Sequence, residues 1–281
     1  MKERQDEQLK SQVSDYWNTN PMDYNVTPDA GSREYFLELD RKNSKWGTPM
    51  EGSTHPDAQG LIDYERDIAG KRVLEVGIGL GSLFGSLARR ASLALGVDLT
   101  AFGTQMSKRR AQLFDLPHMH PIHADAERLP FEDEAFDTVV SWGVIHHTPD
   151  TPRAAREIWR VLKPGGTALV MIYHRNSVFY WYKIFVGWGI LRGELLRYSP
   201  QEITNRHLDP DSPLNKVYSI EEGRQMFSAF QKVDIKITGS AGFDSLPVGR
   251  FPFISQLLMR GERRKRLLAR YGYFMWIRAV K

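Results

Sequence analysis

From Arg72 to Tyr173 the chain alternates between short apolar runs and longer stretches whose apolar residues recur every three or four positions. The runs "RVLEVGI", "ASLALGVDL", "MHPIHAD", "FDTVVSWGVI" and "TALVMIY" read as strands, the third being the weakest. Helices are predicted from Gly81 to Ala91, with Leu83, Phe84, Leu87 and Ala88 on one face, and from about Ala101 to Phe114. Another opens with Thr151 as its cap and Pro152 at the first helical position, and stops at "LKPGG". Strands and helices in this rhythm predict an α/β chain: a doubly wound, mostly parallel sheet with helices on both faces. In such a sheet ligands bind beyond the carboxyl ends of the strands, near the point where strand order reverses.

The flanks follow other patterns. Residues 1–69 begin with a polar helical stretch and continue into loops rich in Pro, Gly, Asp and Asn, including "YWNTNPMDYN" and "KWGTPMEGSTHPDAQG". After the core at 70–173 comes an aromatic-rich insertion at 174–219, "NSVFYWYKIFVGWGILRGELL" followed by a polar loop. The regular pattern resumes over 220–281 with a helix near Ile220 to Phe230, the strand "KVDIKITG", an apolar and basic helical region and a last strand, "YGYFMWIRAVK".

Composition narrows this little. The 281 residues are 41% apolar and 26% charged, the values of an ordinary globular chain. The absence of cysteine removes disulfides, thiolate metal sites and a cysteine nucleophile. The charged start "MKERQDEQLK" lacks the apolar core of a secretory signal, and the weakly charged stretch Asn176 to Leu191 is interrupted by Lys183, so a cytoplasmic protein is expected. Basic clusters at Lys108-Arg109-Arg110 and Arg260 to Arg266 accompany a net charge of +4; they read as solvated helix faces, or as contacts to phosphate or anionic lipid.

The sharpest signal is "VLEVGIGLGS", three glycines within five positions behind a strand. Such a turn lets main chain approach a ligand closely, and the helix behind it offers free N–H groups. Either a dinucleotide pyrophosphate or the amino-acid end of S-adenosylmethionine suits that geometry. Glu75, two residues before Gly77, would repel a pyrophosphate and welcome an ammonium. Spacing at Gly77, Gly79 and Gly81 also departs from the G-x-G-x-x-G dinucleotide fingerprint. "DAERLPF" offers the Asp125 carboxylate to an adenine amine and the Ala126 backbone to a ring nitrogen, while Asp98 can accept ribose hydroxyls of either ligand.

In order and spacing, "VLEVGIGLGS", "GVDLT", "DAERLPF", "FDTVVSWGVIHHTPD" and "REIWRVLKPGG" resemble the successive motifs of the class I S-adenosylmethionine-dependent methyltransferases, in the branch that includes quinone and small-molecule methyltransferases. The resemblance implies a Rossmann-like seven-stranded sheet whose last strand runs antiparallel. It implies S-adenosylmethionine as cofactor and S-adenosylhomocysteine as product. Glu75, Gly77, Gly79 and Gly81 match the acid and glycines that bind the methionyl part, and Asp98 the ribose acid with Leu99 beside the adenine. Asp125 and Ala126 match the adenine pair; Ser141, Trp142 and Gly143 match the strand end facing the sulfonium. Glu127 either holds its loop or touches the cofactor, and the second reading is adopted here. Tyr16 and Trp17, in "DYW", resemble a segment that closes over the cofactor. No Asn-Pro-Pro-Tyr-type motif follows the fourth strand, which disfavours methylation of DNA bases.

Methyl transfer needs an acceptor held in line and, for a weakly nucleophilic hydroxyl, a group to take its proton. His146 is the candidate base facing the substrate, with His147 as its structural partner; Tyr173 and His174 leave the fifth strand toward the same mouth. His118, His120 and His123 lack a convergent carboxylate set, so no metal is expected. The aromatic insert, Phe179 to Trp188, is a lid over an aromatic or lipophilic acceptor, packing for extra helices, or a helix on a membrane surface. The expected function is methylation, preferably on oxygen, of a small organic acceptor. An RNA methyltransferase, which would want an RNA-binding appendage, a non-catalytic cofactor-binding module and an NAD-dependent dehydrogenase are the alternatives.

Overall fold

A computed structural model describes residues 2–22, 25–45, 49–51, 60–209, 212–239 and 261–281. Much of the "KWGTPMEGSTHPDAQG" loop lies outside the described residues. So does 240–260, which holds the apolar half of the last helical region and Arg260 of its basic cluster.

Two helices, α1 (Lys2–Thr19) and α2 (Arg33–Lys45), precede the sheet. Its strands are β1 (Arg72–Val76), β2 (Leu93–Asp98), β3 (Met119–His123), β4 (Phe136–Trp142), β5 (Leu162–Tyr173), β6 (Lys232–Thr238) and β7 (Phe274–Val280). They stand in the order β3-β2-β1-β4-β5-β7-β6. Neighbours pair in parallel throughout, except that β7 runs antiparallel to both β5 and β6. This is the expected doubly wound, seven-stranded sheet. Because β1 lies between β2 and β4, strand order reverses beside it, and a crevice opens above its carboxyl end.

Alternation along the strands builds two cores. On β5, Leu169, Met171 and Tyr173 face one layer while Ala168, Val170 and Ile172 face the other, the period of two that a strand imposes. Helix α3 (Ser82–Ala88) fills the first layer with Leu83, Phe84 and Leu87. The second takes Ala154, Ala155, Ile158 and Val161 from α5 (Thr151–Val161). Helix α4 (Ala101–Leu113) packs beside β2 and β3 and meets α2 through Met106, Tyr35, Phe36 and Leu39.

Two local expectations need correction. Asp150, one residue ahead of Thr151, caps α5: its carboxylate accepts the Arg153 amide at 3.0 Å, a capping bond the threonine does not make. The glycines of "LKPGG" lie within β5, not ahead of it. Leu162 already pairs with Phe136, and Lys163 to Gly166 bulge before Thr167 meets Thr138, with Gly165 at φ +75°.

The insertion forms a π-helix, Phe179–Leu191, followed by α6 (Pro200–His207), whose start is fixed by a capping box between Ser199 and Glu202. Tyr180 and Ile184 of the π-helix are buried against the first layer, and Phe179 sits 4.7 Å from Tyr273. Helix α7 (Ile220–Met226) leads into β6, and α8 (Gly261–Tyr271) into β7. Among the described residues no helix is long and apolar enough to cross a membrane.

Candidate active site

Above the ends of β1, β2 and β4 lies a cavity of about 410 Å³. Its floor is the glycine turn. Gly77, Gly79 and Gly81 all have positive φ, at +81°, +47° and +79°. At Gly77 a Cβ would stand 2.1 Å from Val144 Cγ2, so this position combines a left-handed backbone with no room for a side chain. At Gly79 a Cβ would meet nothing within 4 Å, because the residue faces the cavity. Gly81 lies behind the wall; a Cβ there would press on Ser107 Oγ at 2.8 Å. Its part is to turn the chain into α3.

Four acids line the cavity, and three of them, Glu75, Asp98 and Asp125, stand near the ends of β1, β2 and β3. Asp98, at the end of β2, accepts the Gly79 amide at 2.8 Å on Oδ2, and the Thr100 amide at 2.8 Å and hydroxyl at 2.6 Å on Oδ1. Leu99 beside it lines the wall. Glu75 is 2% exposed, and its Oε2 has no hydrogen-bond partner. Burial, and then the charge of Asp98, push its carboxyl well above the usual carboxylate range. Asp125 is fixed by the Glu127 amide at 2.8 Å on Oδ1 and by Lys10 Nζ at 2.7 Å on Oδ2, with Ala126 lining the wall next to it.

Glu127 itself does not reach the cavity. It accepts the Asp150 amide at 2.6 Å and pairs with Lys10 at 2.8 Å, so it holds the loop, and the cofactor-contact reading is corrected. Burial alone would lower the Lys10 pKa, but bonds to Asp125 and Glu127 outweigh it and hold the ammonium above its ordinary value. These bonds seat α1 over the cavity together with Ser14 Oγ, which donates to Leu99 O at 3.0 Å, and Asn18, which accepts the Phe102 amide at 3.0 Å. Trp17 reaches the cavity; Tyr16 does not, and packs edge-on against Trp17 at 4.9 Å.

The opposite wall is largely apolar: Trp17 and Met22 above, Trp142, Met171, Tyr173 and Phe274 at the side. Trp142 and Gly143 line it, whereas Ser141 is fully buried beneath. The two histidines exchange the places expected of them. His146 is 0% exposed, with neither ring nitrogen bonded, and lies 4.0 Å from the Tyr173 ring. The reading of His146 as the substrate-facing residue is therefore corrected, because the short helical turn Ile145–His147 directs it into the core. It is His147 that faces the cavity. Its Nδ1 lies 2.7 Å from Leu214 O, which only accepts, so Nδ1 carries the proton. Nε2 is left as an acceptor, 3.8 Å from Asp209 Oδ2, and Tyr173 donates to that same oxygen at 3.3 Å. Burial pulls His147 below the ordinary imidazole value, opposed by Asp209 and the Leu214 carbonyl. Burial likewise raises Asp209, opposed by His147 and the Tyr173 hydroxyl. His174 is buried and donates from Nδ1 to Gly272 O at 3.0 Å, away from the cavity.

Several residues went unread in the sequence. Lys10 and Val13 were missed although, with the expected Trp17, they recur at helical spacing, a stripe that marks the inner face of α1. Asp209 and Phe274 carry no local signal; chain folding alone brings them in. Of the insertion, only Asp209 among the described residues lines the cavity, and the aromatic π-helix stands behind the wall. Among the described residues no three His, Asp or Glu side chains group as metal ligands.

A buried carboxyl with an unpartnered oxygen beside a glycine turn gives an ammonium a partner that it would ionise, and gives a pyrophosphate none, so the floor suits an adenosyl amino acid better than a nicotinamide dinucleotide. Sheet order and the cavity above β1 are those of a Rossmann-like fold of the methyltransferase type. Residues 74–170 match the family model described as "Methyltransferase domain". The phthiotriol/phenolphthiotriol dimycocerosates methyltransferase of Mycobacterium leprae (strain TN) is 37% identical over 125 residues, 42% of this chain and 45% of that one. The 2-phytyl-1,4-naphtoquinone methyltransferase of Trichormus variabilis is 36% identical over 112 residues, 38% of this chain and 49% of that one. The chain thus spans about half the length of the curated relatives it matches. A solved structure of the Haemonchus contortus phospholethanolamine N-methyltransferase 2, with phosphomonomethylethanolamine and S-adenosylhomocysteine, shares the fold with a TM-score of 0.55 at 19% identity, over 96% of this chain and 60% of that one. Residues 74–170 are thus similar to a methyltransferase domain, and the sheet has the fold of a solved methyltransferase that holds S-adenosylhomocysteine.

Proposed function

We propose that the chain methylates an oxygen of a small, lipophilic or aromatic acceptor, with His147 taking the acceptor's proton. The observation that carries this reading is the juxtaposition of the unpartnered Glu75 carboxylate, on a carboxylate-rich floor, with an apolar wall that exposes one imidazole nitrogen. The two relatives named above are methyltransferases of a phthiotriol ester and of a phytyl naphthoquinone, both lipophilic, which supports the acceptor class.

In this reading Glu75 holds the cofactor's amine, Asp98 its ribose hydroxyls, and Asp125 with the Ala126 amide its adenine. Asp98 already accepts three protein donors, and since an ionised carboxylate has about four acceptor sites it keeps one for a ribose hydroxyl and must share or release a present bond to take the second. The bound cofactor supplies an electrophilic methyl on a sulfonium. Trp17 and the α1 helix exclude water from above, and Trp142, Met171 and Phe274 orient the acceptor by shape. His147, fixed by Leu214, accepts the hydroxyl proton on Nε2, and Asp209 with Tyr173 holds the imidazolium that forms. Residues 70–173 bind the cofactor, 1–69 cap it, 174–219 supply Asp209 and 220–281 complete the sheet.

Incubation with methyl-labelled cofactor and a panel of phenols, hydroquinones and lipid alcohols tests the proposal. Labelled ether products are expected; label found only in RNA or protein sinks the acceptor class, and no S-adenosylhomocysteine binding by calorimetry sinks the reading of the floor.

A further inference from the structure

The outer side of the insertion presents large apolar side chains to solvent. Trp181, Ile190, Leu191 and Leu196 are exposed to 46%, 56%, 77% and 90%. In a π-helix the bonds run from i to i+5, so a turn takes roughly 4.4 residues and Ile190 returns to the direction of Trp181 two turns earlier. Leu191 follows directly in the chain, and Leu196 lies just past the turn at Gly193. From Arg175 to Gly193 there is no Asp or Glu. The exposed charges there and just beyond are Lys183, Arg192 and Arg197, while the next acid, Glu194, pairs with His207 at 2.9 Å. Lys183 Nζ stands over the Phe179 ring at 5.0 Å and the Arg192 guanidinium over Trp188 at 3.9 Å, so both cationic heads rest on aromatic faces while the residues stay exposed.

We propose that this face docks the protein on an anionic lipid bilayer, with the four apolar side chains entering the headgroup boundary and the three cations meeting lipid phosphates. An indole and aliphatic side chains interspersed with exposed Lys and Arg match that interface on both counts. A second copy is a poor occupant: a two-fold contact would set the same cations against each other, and four side chains fall short of the roughly 800 Å² per partner that a stable dimer buries. Docking here also has a geometric consequence. Phe179 lies tilted against Tyr273 at 4.7 Å, and Tyr273 stacks on Tyr173 at 4.6 Å, so the π-helix backs onto the apolar wall of the cavity.

The test is co-sedimentation of the full chain with phosphatidylcholine vesicles, with and without phosphatidylglycerol, alongside calorimetric titration with S-adenosylhomocysteine. Binding to the anionic vesicles, weakened by salt, is expected. The triple variant W181S/L191S/L196S and the charge reversal K183E/R197E should each lower the partition coefficient at least about tenfold, with affinity for S-adenosylhomocysteine kept. Wild-type protein left in the supernatant with both vesicles overturns the proposal, and so does unchanged binding of both variants. A dimer in light scattering that the triple variant abolishes would mean that a protein covers this face, and likewise overturns it. Vesicle binding without S-adenosylhomocysteine binding would instead strike the proposed function and leave the docking face standing.

Discussion

The two halves of the cavity are built on different principles. Toward β1, β2 and β3 the wall is main chain and carboxylate: Gly77 and Gly79, Glu75, Asp98 and Asp125 at the ends of successive strands. Toward β4, β5 and β7 it is side chain, with Trp142, Met171, Tyr173 and Phe274 around one imidazole. Each acid of the first half sits within a few residues of a strand end that aims it. The second half gathers residues as far apart as Trp17, His147, Asp209 and Phe274, and no short segment specifies it. Backbone geometry can fix one cofactor in many proteins; an acceptor must be recognised by a surface free to change.

The comparison breaks most sharply at the histidines. If proton removal belongs to the apolar half, His147→Asn lowers methyl transfer about 10²- to 10⁴-fold with S-adenosylhomocysteine affinity nearly unchanged, as measured by turnover and calorimetry side by side. His146→Asn should instead lower the melting temperature, since His146 is wholly buried and does not line this cavity. Because burial lowers the His147 pKa, the wild-type rate should rise as pH climbs through a value below the ordinary imidazole range and then level off. A rate still rising steeply well above neutrality would assign the base elsewhere.

Next in size is Gly77→Ala. A methyl group there meets Val144 on a left-handed backbone, so a cost of about 2–5 kcal/mol is expected in folding or cofactor binding. Denaturant unfolding and calorimetry divide the loss between them; a variant unchanged in both would refute the close approach.

Glu75→Gln separates stability from function. The substitution keeps shape and removes the carboxyl that an ammonium would ionise, so cofactor affinity should fall roughly 10- to 100-fold while the cofactor-free protein becomes no less stable. The pH dependence has a definite sign. Glu75 has a higher pKa folded than unfolded, so above the unfolded value the folded state binds the extra proton, and this residue's contribution to stability falls as pH rises. Against Glu75→Gln, the wild type should therefore lose relative stability from mildly acidic pH upward; a flat difference between the two melting curves would contradict the burial argument.

The smallest effect is expected at Lys10→Ala. Its two ion pairs hold α1 to the Asp125 loop, and their loss should speed proteolysis within α1 while changing cofactor affinity less than about tenfold. A larger fall would make Lys10 part of the cofactor site rather than a clasp.

The contrast between the halves also explains what could be read in advance. Glu75, the glycines, Asp98 and Asp125 were legible because each acts from a fixed offset behind a strand whose apolar run marks its end. His146 and His147 were legible as a pair but not as individuals: the turn after β4 decides which ring enters the core, and adjacent residues there point to different sides. Glu127 looked like a contact because it neighbours Asp125, yet its carboxylate turns to the Asp150 amide. Asp150 itself was passed over as a cap in favour of Thr151, one residue on, where either side chain could have served.

By itself, the sequence determined the α/β class, the strand rhythm and the carboxylate half of the cavity, because hydrophobic period and glycine placement are local and act through the nearest turn of backbone. Only the tertiary structure decided which histidine meets the cavity, that α1 covers it through Lys10, and that Asp209 and Phe274 enter it while the aromatic π-helix stays behind. Those outcomes depend on contacts between residues tens to hundreds of positions apart, whose energies come from burial and packing in the assembled chain and leave no periodic trace along it.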